Sequence, residues 1–158
     1  MSDRRCWLMK SEPDAFSFDD LMSRPGRREP WDGVRNYQAR NLMRDEMRVG
    51  DEVLFYHSRC TPPHVAGIAR IAGPARPDPT QFEPSSKYYD AGSKADDPRW
   101  VLVDVEGVRP LERPVSLDEL KASPHLEGML VIRKGQRLSI QPVDPAHYDA
   151  VLAMAQTP

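Results

Sequence analysis

At 158 residues, with 39% hydrophobic and 29% charged side chains, the chain has the size and composition of one globular domain able to bury a real core. A formal net charge of −2 excludes a global positive field, so any attraction for nucleic acid has to come from local patches. Two cysteines, Cys6 and Cys60, cannot build a disulfide framework; no apolar run reaches the roughly 18 residues of a membrane span; and the stretch before Cys6 is too short for a signal peptide. These features predict reduced thiols in a cytoplasmic protein with no membrane partner.

Taken from the N-terminus, residues 6–10 are a short apolar strand, stopped by Ser11-Glu12-Pro13-Asp14. Ser17 with Asp20 has the spacing of a capping box and opens a short helix to Met22. Residues 24–30 hold two prolines and a glycine and are expected to be loop. A second helix is predicted over 36–47, with Leu42, Met43 and Met47 turned inward, and Val49-Gly50-Asp51 ends it. Strands follow at 52–57 and 65–72. Residues 73–98 form a long proline-rich connection, and loops of that length inside a domain are usually functional or disordered. The clearest strand is 99–108, where Trp100, Leu102 and Asp104 alternate with Val101, Val103 and Val105. Ser116 with Glu119 repeats the capping box and starts a helix to Ala122. Residues 130–132 and 138–140 are predicted as two more short strands. Asp144-Pro145, a cap followed by a first-turn proline, opens the last helix, whose stripe is Tyr148, Val151 and Leu152. About six strands and four helices, without a βαβ rhythm, predict one α+β domain over 1–158: a small twisted sheet or barrel flanked by short helices.

The stretch 31–41, Trp31-Asp32-Gly33-Val34-Arg35-Asn36-Tyr37-Gln38-Ala39-Arg40-Asn41, mixes rings, guanidiniums and amides. Arg and Asn are rarely interior residues, and the mixture suits a flat, hydrogen-bonding, negatively tethered ligand such as a nucleotide. Trp31 is either a wall on which a base stacks or a ring packed on a core edge. Tyr88 and Tyr89, in the long loop, supply a second wall or pin that loop to the body. Charge is uneven: residues 24–48 carry seven Arg against four Asp or Glu. Arg40, Arg44 and Arg48 share one helix face at four-residue spacing, where phosphate oxygens or the neighbouring Asp45 and Glu46 would offset their repulsion. Lys10-Ser11-Glu12 closes the first strand as a rim for a base edge or phosphate, as a Lys-activated Ser, or as a plain solvent-facing strand end. His57, Cys60 and His64 lack the fourth ligand of a structural zinc site, so no metal is expected, and the phosphate-loop and dinucleotide motifs are absent, so no cofactor is expected.

Five separated blocks carry a resemblance: Trp7-Leu8-Met9-Lys10-Ser11-Glu12-Pro13; the whole of 31–41; Phe55-Tyr56-His57-Ser58; Tyr89-Asp90 ahead of Pro98-Arg99-Trp100; and Arg137-Leu138-Ser139-Ile140-Gln141-Pro142-Val143. In this order they resemble EVE-domain proteins over about residues 6–154. The resemblance implies a PUA-like fold, a small twisted β-barrel flanked by short helices, related to YTH domains that hold a methylated adenine in an aromatic cage. It implies a non-catalytic reader of a modified or flipped-out nucleobase in DNA or RNA. Carried over by position, Trp31 and Tyr89 resemble the cage walls, with Tyr88 beside them. Lys10 and Ser11 resemble the pair that reads the base edge, and Asn36 is placed to add a contact. Arg35, Arg40 and Arg44 would follow the phosphates. Ala91 stands where the family often has Pro, which puts the geometry of the long loop in question. The basic N-terminal extension of the animal members is absent, in keeping with the cytoplasmic expectation. Two alternatives stay open: a small hydrolase of modified nucleosides, like the ASCH relatives, using Lys10, Ser11 and Glu12; and a protein-interaction module. The oligomeric state is not legible.

Overall fold

The computed structural model describes residues 4–156. In chain order its elements are β1 (Cys6–Ser11), α1 (Phe18–Ser23), β2 (Arg28–Pro30), α2 (Tyr37–Asn41), β3 (Glu52–His57), β4 (His64–Ile71), β5 (Arg76–Pro77), β6 (Val101–Leu102), β7 (Asp104–Ser116), α3 (Leu117–Ala122), β8 (Ile140–Val143) and α4 (Pro145–Ala155). Six strands form one mixed, curled sheet in the order β2-β7-β4-β3-β1-β8, and β5 pairs with β6 apart from it. β1 and β3 lie parallel, Cys6 opposite Glu52 and Ser11 opposite His57, and the other pairings in the sheet are antiparallel.

Side chains alternate across a strand, yet β1 and β3 are apolar at nearly every position, so both sheet faces have to be covered. They are. Trp7, Met9, Val53 and Phe55 meet Phe18, Leu21 and Met43 on one side. Cys6, Leu8, Leu54 and Tyr56 meet Leu120, Leu126, Tyr148 and Val151 on the other. Register shifts at Phe55/Tyr56 and along β4–β7 bend the sheet. α1 can approach so closely because two strand residues facing it are glycines: a Cβ on Gly67 would stand 2.4 Å from the Phe18 ring, and one on Gly107 would stand 2.5 Å from the Met22 sulfur.

The expected strands at 6–10, 52–57 and 65–72 and the capped helices at 17–22, 116–122 and 144 onward are present, with reciprocal Ser17–Asp20 and Ser116–Glu119 capping boxes. Elsewhere the expectations need correction. Residues 24–30 are not all loop: Pro25–Arg27 make a 3-10 turn and β2 then adds to the edge of β7. The second helix is short, because α2 passes into a π-helical turn at Leu42–Glu46. The strand expected over 99–108 breaks at Val103, and β7 then runs to Ser116 through Pro110 and Pro114. Proline removes a ladder donor; Pro110 stands opposite Gly67 of β4 beside a register shift, and beyond Glu106 the other edge of β7 carries no described strand. Leu130–Ile132 is a 3-10 turn rather than a strand, and the strand expected at 138–140 starts at Ile140 instead.

Candidate functional site

At the C-terminal end of β1 a cleft of about 950 Å³ opens, a size typical of small-ligand sites. Lys10, Ser11 and Glu12 form one side, residues 31–35 the floor and back, Lys87 and Tyr88 of the long loop a second wall, and Gln136, Arg137 and Ser139 the rim nearest β8.

The floor is pinned from both directions. Trp31 N–H donates to Val103 O at 2.8 Å, and Gly33 N–H to Asp78 Oδ2 at 2.8 Å. Gly33 holds φ +78°, and a Cβ there would enter the Tyr88 ring at 2.5 Å; only glycine gives both that backbone and that closeness. Asp78 is fully buried. Burial alone would raise its carboxyl, but hydrogen bonds from Thr80, Gly33 and Arg35 outweigh that and hold it below the usual carboxylate value. The Arg35 guanidinium bonds Asp78 at 3.1 Å, Thr80 at 3.1 Å and the Tyr88 carbonyl at 2.8 Å, and lies over the rings of Tyr88 and Trp100. The long loop is therefore no slack tether. Buried Gln81 bonds Asp78 O, Trp100 N, Trp100 O and Ser93, and Asp90 receives the Trp100 indole N–H at 2.8 Å.

Trp31 is half-buried. Its ring meets Phe55 edge-on at 5.6 Å and Phe16 at 6.3 Å, while it also lines the cleft. Trp7 and Trp100 give their indole N–H groups to Asp51 and Asp90; Trp31 has no acceptor among the described residues. Lys10 lies 6.0 Å over the Tyr56 ring, and burial pulls its ammonium below the ordinary value. Lys10, Lys87 and Arg137 have no carboxylate partner among the described residues, whereas Glu12 pairs with Arg59 at 3.2 Å and Glu29 with Arg24 at 3.5 Å. The cleft thus combines an aromatic wall, an unused indole donor and uncompensated cations.

Of the residues picked from sequence, Trp31, Lys10, Ser11, Arg35 and Tyr88 come together here. Tyr89 does not: it is exposed and outside the cleft, and Tyr88 forms the wall because its ring, not its neighbour's, lies on Gly33. Asn36 is the cap of α2, its Oδ1 receiving Ala39 N–H at 3.0 Å. The arginine ridge does not form, because the π turn breaks four-residue periodicity. Arg40 instead lies 4.8 Å over Tyr37 and donates to Arg99 O at 3.0 Å, and Arg44 forks onto Asp45. Lys10, Ser11 and Glu12 do not converge as a catalytic set: Ser11 Oγ donates to Phe16 O at 2.5 Å, and Glu12 faces Arg59. Among the described residues no group of three His, Cys, Asp or Glu is placed to hold a metal; His57 and His64 bond each other at 3.1 Å. Nor is any described helix long and apolar enough to cross a membrane. Sequence reasoning gave no role to Lys87 or Arg137; the signals for them were a lysine beside the tyrosine pair and, for Arg137, its place in the block 137–143 and at the end of the basic run Arg133-Lys134-Gly135-Gln136-Arg137.

A curled mixed sheet, short helices on both faces and a cleft at the strand end define a domain of the PUA-like class. The EVE domain model matches residues 5–154, and the chain belongs to the EVE domain family. Thymocyte nuclear protein 1 of Mus musculus is 44% identical over 168 residues, which span 96% of this chain and 74% of that protein. The crystal structure of human THYN1 protein in complex with 5-methylcytosine containing DNA is 43% identical, with a TM-score of 0.91 over 98% of this chain and 99% of that one. An ASCH protein from Zymomonas mobilis shares the fold alone, at 13% identity and a TM-score of 0.57 over 96% of this chain and 99% of that one.

Proposed function

We propose that the chain is a non-catalytic nucleic-acid reader that takes a modified or unstacked nucleobase against Trp31, with the strand's phosphates on Lys10, Lys87 and Arg137. The observation that carries this is the half-buried Trp31, which lines an open cleft with its indole N–H unused among the described residues. Base stacking on an aromatic ring contributes about 1–3 kcal/mol, and Tyr88 lines the same cleft. The DNA-bound relative supports the same ligand class. Taking a base out of a duplex costs a few kcal/mol, so single strands bind more tightly than duplexes. Hydrolysis is disfavoured because Ser11 and Glu12 are engaged elsewhere.

The test is fluorescence anisotropy with labelled single-stranded DNA and RNA carrying one central 5-methylcytosine, cytosine or N6-methyladenine. Trp31→Leu is expected to weaken binding of the preferred strand by roughly ten-fold or more, with the fold checked by circular dichroism. No measurable binding to any strand, or a folded Trp31→Leu protein that binds as well as wild type, would remove the proposal.

A further inference from the structure

Besides the Trp31 indole N–H, one polar side chain in the pinned floor is left over by the fold. Gly33 N–H is spent on Asp78, the Arg35 guanidinium on Asp78, Thr80 and Tyr88, and Asn36 Oδ1 on the α2 cap. The Asp32 carboxyl lines the cleft immediately after Trp31 and has no hydrogen bond or ion pair with another described residue, although its own backbone N–H bonds it and the Arg35 guanidinium is near enough to favour its charge weakly. We propose that Asp32 determines base specificity by accepting a hydrogen bond from the exocyclic amino group of the base held against Trp31. This rests on the nucleobase assignment above.

A carboxylate is out of place in a cleft meant only for phosphate, because it repels the anion that Lys10, Lys87 and Arg137 attract. Burial, with Asp78 and then Glu29 close by, already holds this carboxyl above its ordinary value, so the fold keeps it at a cost that a donor from a ligand would offset. Carboxylates read bases by accepting from an amino group such as cytosine N4. Cytosine and adenine carry one on the pairing edge. Thymine and uracil present a carbonyl oxygen in its place, and two acceptors facing each other repel.

5-Methylcytosine and thymine make the discriminating pair, since they share ring size and the 5-methyl group and differ at position 4. Binding of single strands that differ only in that central base is measured for wild type, Asp32→Asn and Asp32→Ala, with thermal melts to show that each variant is folded. Wild type is expected to prefer the 5-methylcytosine strand by roughly ten-fold or more. Asp32→Ala is expected to lose most of that preference. Asp32→Asn can turn an amide N–H to the carbonyl and is expected to narrow or invert it. Equal wild-type affinity for the two strands, or a preference unchanged in both folded variants, overturns the role of Asp32 while leaving Trp31 as a base wall. Failure of wild type to bind either strand overturns both.

Discussion

Asp78 is a carboxylate with no exposure to solvent, and its place in the molecule explains why Arg35 cannot serve a ligand. A buried charge left without its partner costs about 3–5 kcal/mol. Arg35→Met is therefore expected to lower the unfolding free energy by about 3 kcal/mol in urea titrations, near the low end because Gly33 and Thr80 still donate to Asp78. Adding Asp78→Asn to that variant should restore part of the loss, since no unpaired charge remains. Equal loss in the single and double variants would count against the pairing. The sign with pH is fixed by the depressed Asp78 value: its contribution is full above the ordinary carboxylate pKa and disappears as pH falls through the lower folded value. This interaction was hidden in the sequence. Arg35 looked like a phosphate ligand because it stands among rings and amides, and its true partner lies 43 residues away in a loop with no periodic signal. Trp31 was half legible: the sequence left a stacking wall and a core edge both open, and the ring packs on Phe55 and Phe16 while also lining the cleft; which tyrosine shares that cleft was not legible, since adjacent residues in an irregular loop carry no facing rule.

His57 ties two elements together, joining the end of β3 to the start of α1. Its Nε2 accepts Phe18 N–H at 3.0 Å, which places its proton on Nδ1, facing His64 Nε2 at 3.1 Å; His64 Nδ1 then donates to Pro62 O at 2.8 Å. The chain closes only if both rings are neutral. Burial and the neighbouring His64 lower the His57 value, against a smaller opposing pull from Asp19. A base with a lowered folded pKa takes up its proton on unfolding, so stability is lost as pH falls from about 6.5 towards the folded value, by at most about 1.4 kcal/mol per pH unit. Wild type should lose stability between pH 7.5 and 5.5, and His57→Gln, whose amide oxygen can accept the Phe18 N–H, should lose less. Matching slopes in the two proteins would exclude the latch. Phe18 packs on Phe55 at 5.3 Å, and Phe55 on Trp31, so the latch also supports the cleft wall. At this scale the sequence was readable wherever the signal is local: capping boxes and apolar runs place α1, α3, β1 and β3. It failed where pairing is distant, as in β2 docking on β7, and where three apolar residues at 130–132 fit a single turn as well as a strand.

As a whole the molecule is slightly acidic, so the long-range field does not favour nucleic acid, and the binding proposed above has to draw on local charge at the cleft. The basic stretch 24–48, the most promising segment by charge count, contributes little there: Arg24, Arg28, Arg40 and Arg44 are engaged with Glu29, Glu106, Tyr37 and Asp45. The cations without carboxylate partners come instead from three segments far apart in sequence, at Lys10, Lys87 and Arg137. Only the curled sheet brings those segments together. Counterion release makes this distribution measurable. For a single strand the slope of log affinity against log salt is about −0.7 per phosphate neutralised, so three contacts give about −2 and a loss of roughly twenty-fold between 50 and 200 mM salt. Arg137→Ala and Lys87→Ala should each make the slope shallower by about 0.7. Arg44→Ala, which removes a guanidinium already forked onto Asp45, should leave it unchanged. Anisotropy titrations at four or five salt concentrations decide between the two distributions. A slope that responds to Arg44 and ignores Arg137 would place the strand along α2 and its π turn, as charge spacing alone suggests, and away from the cleft.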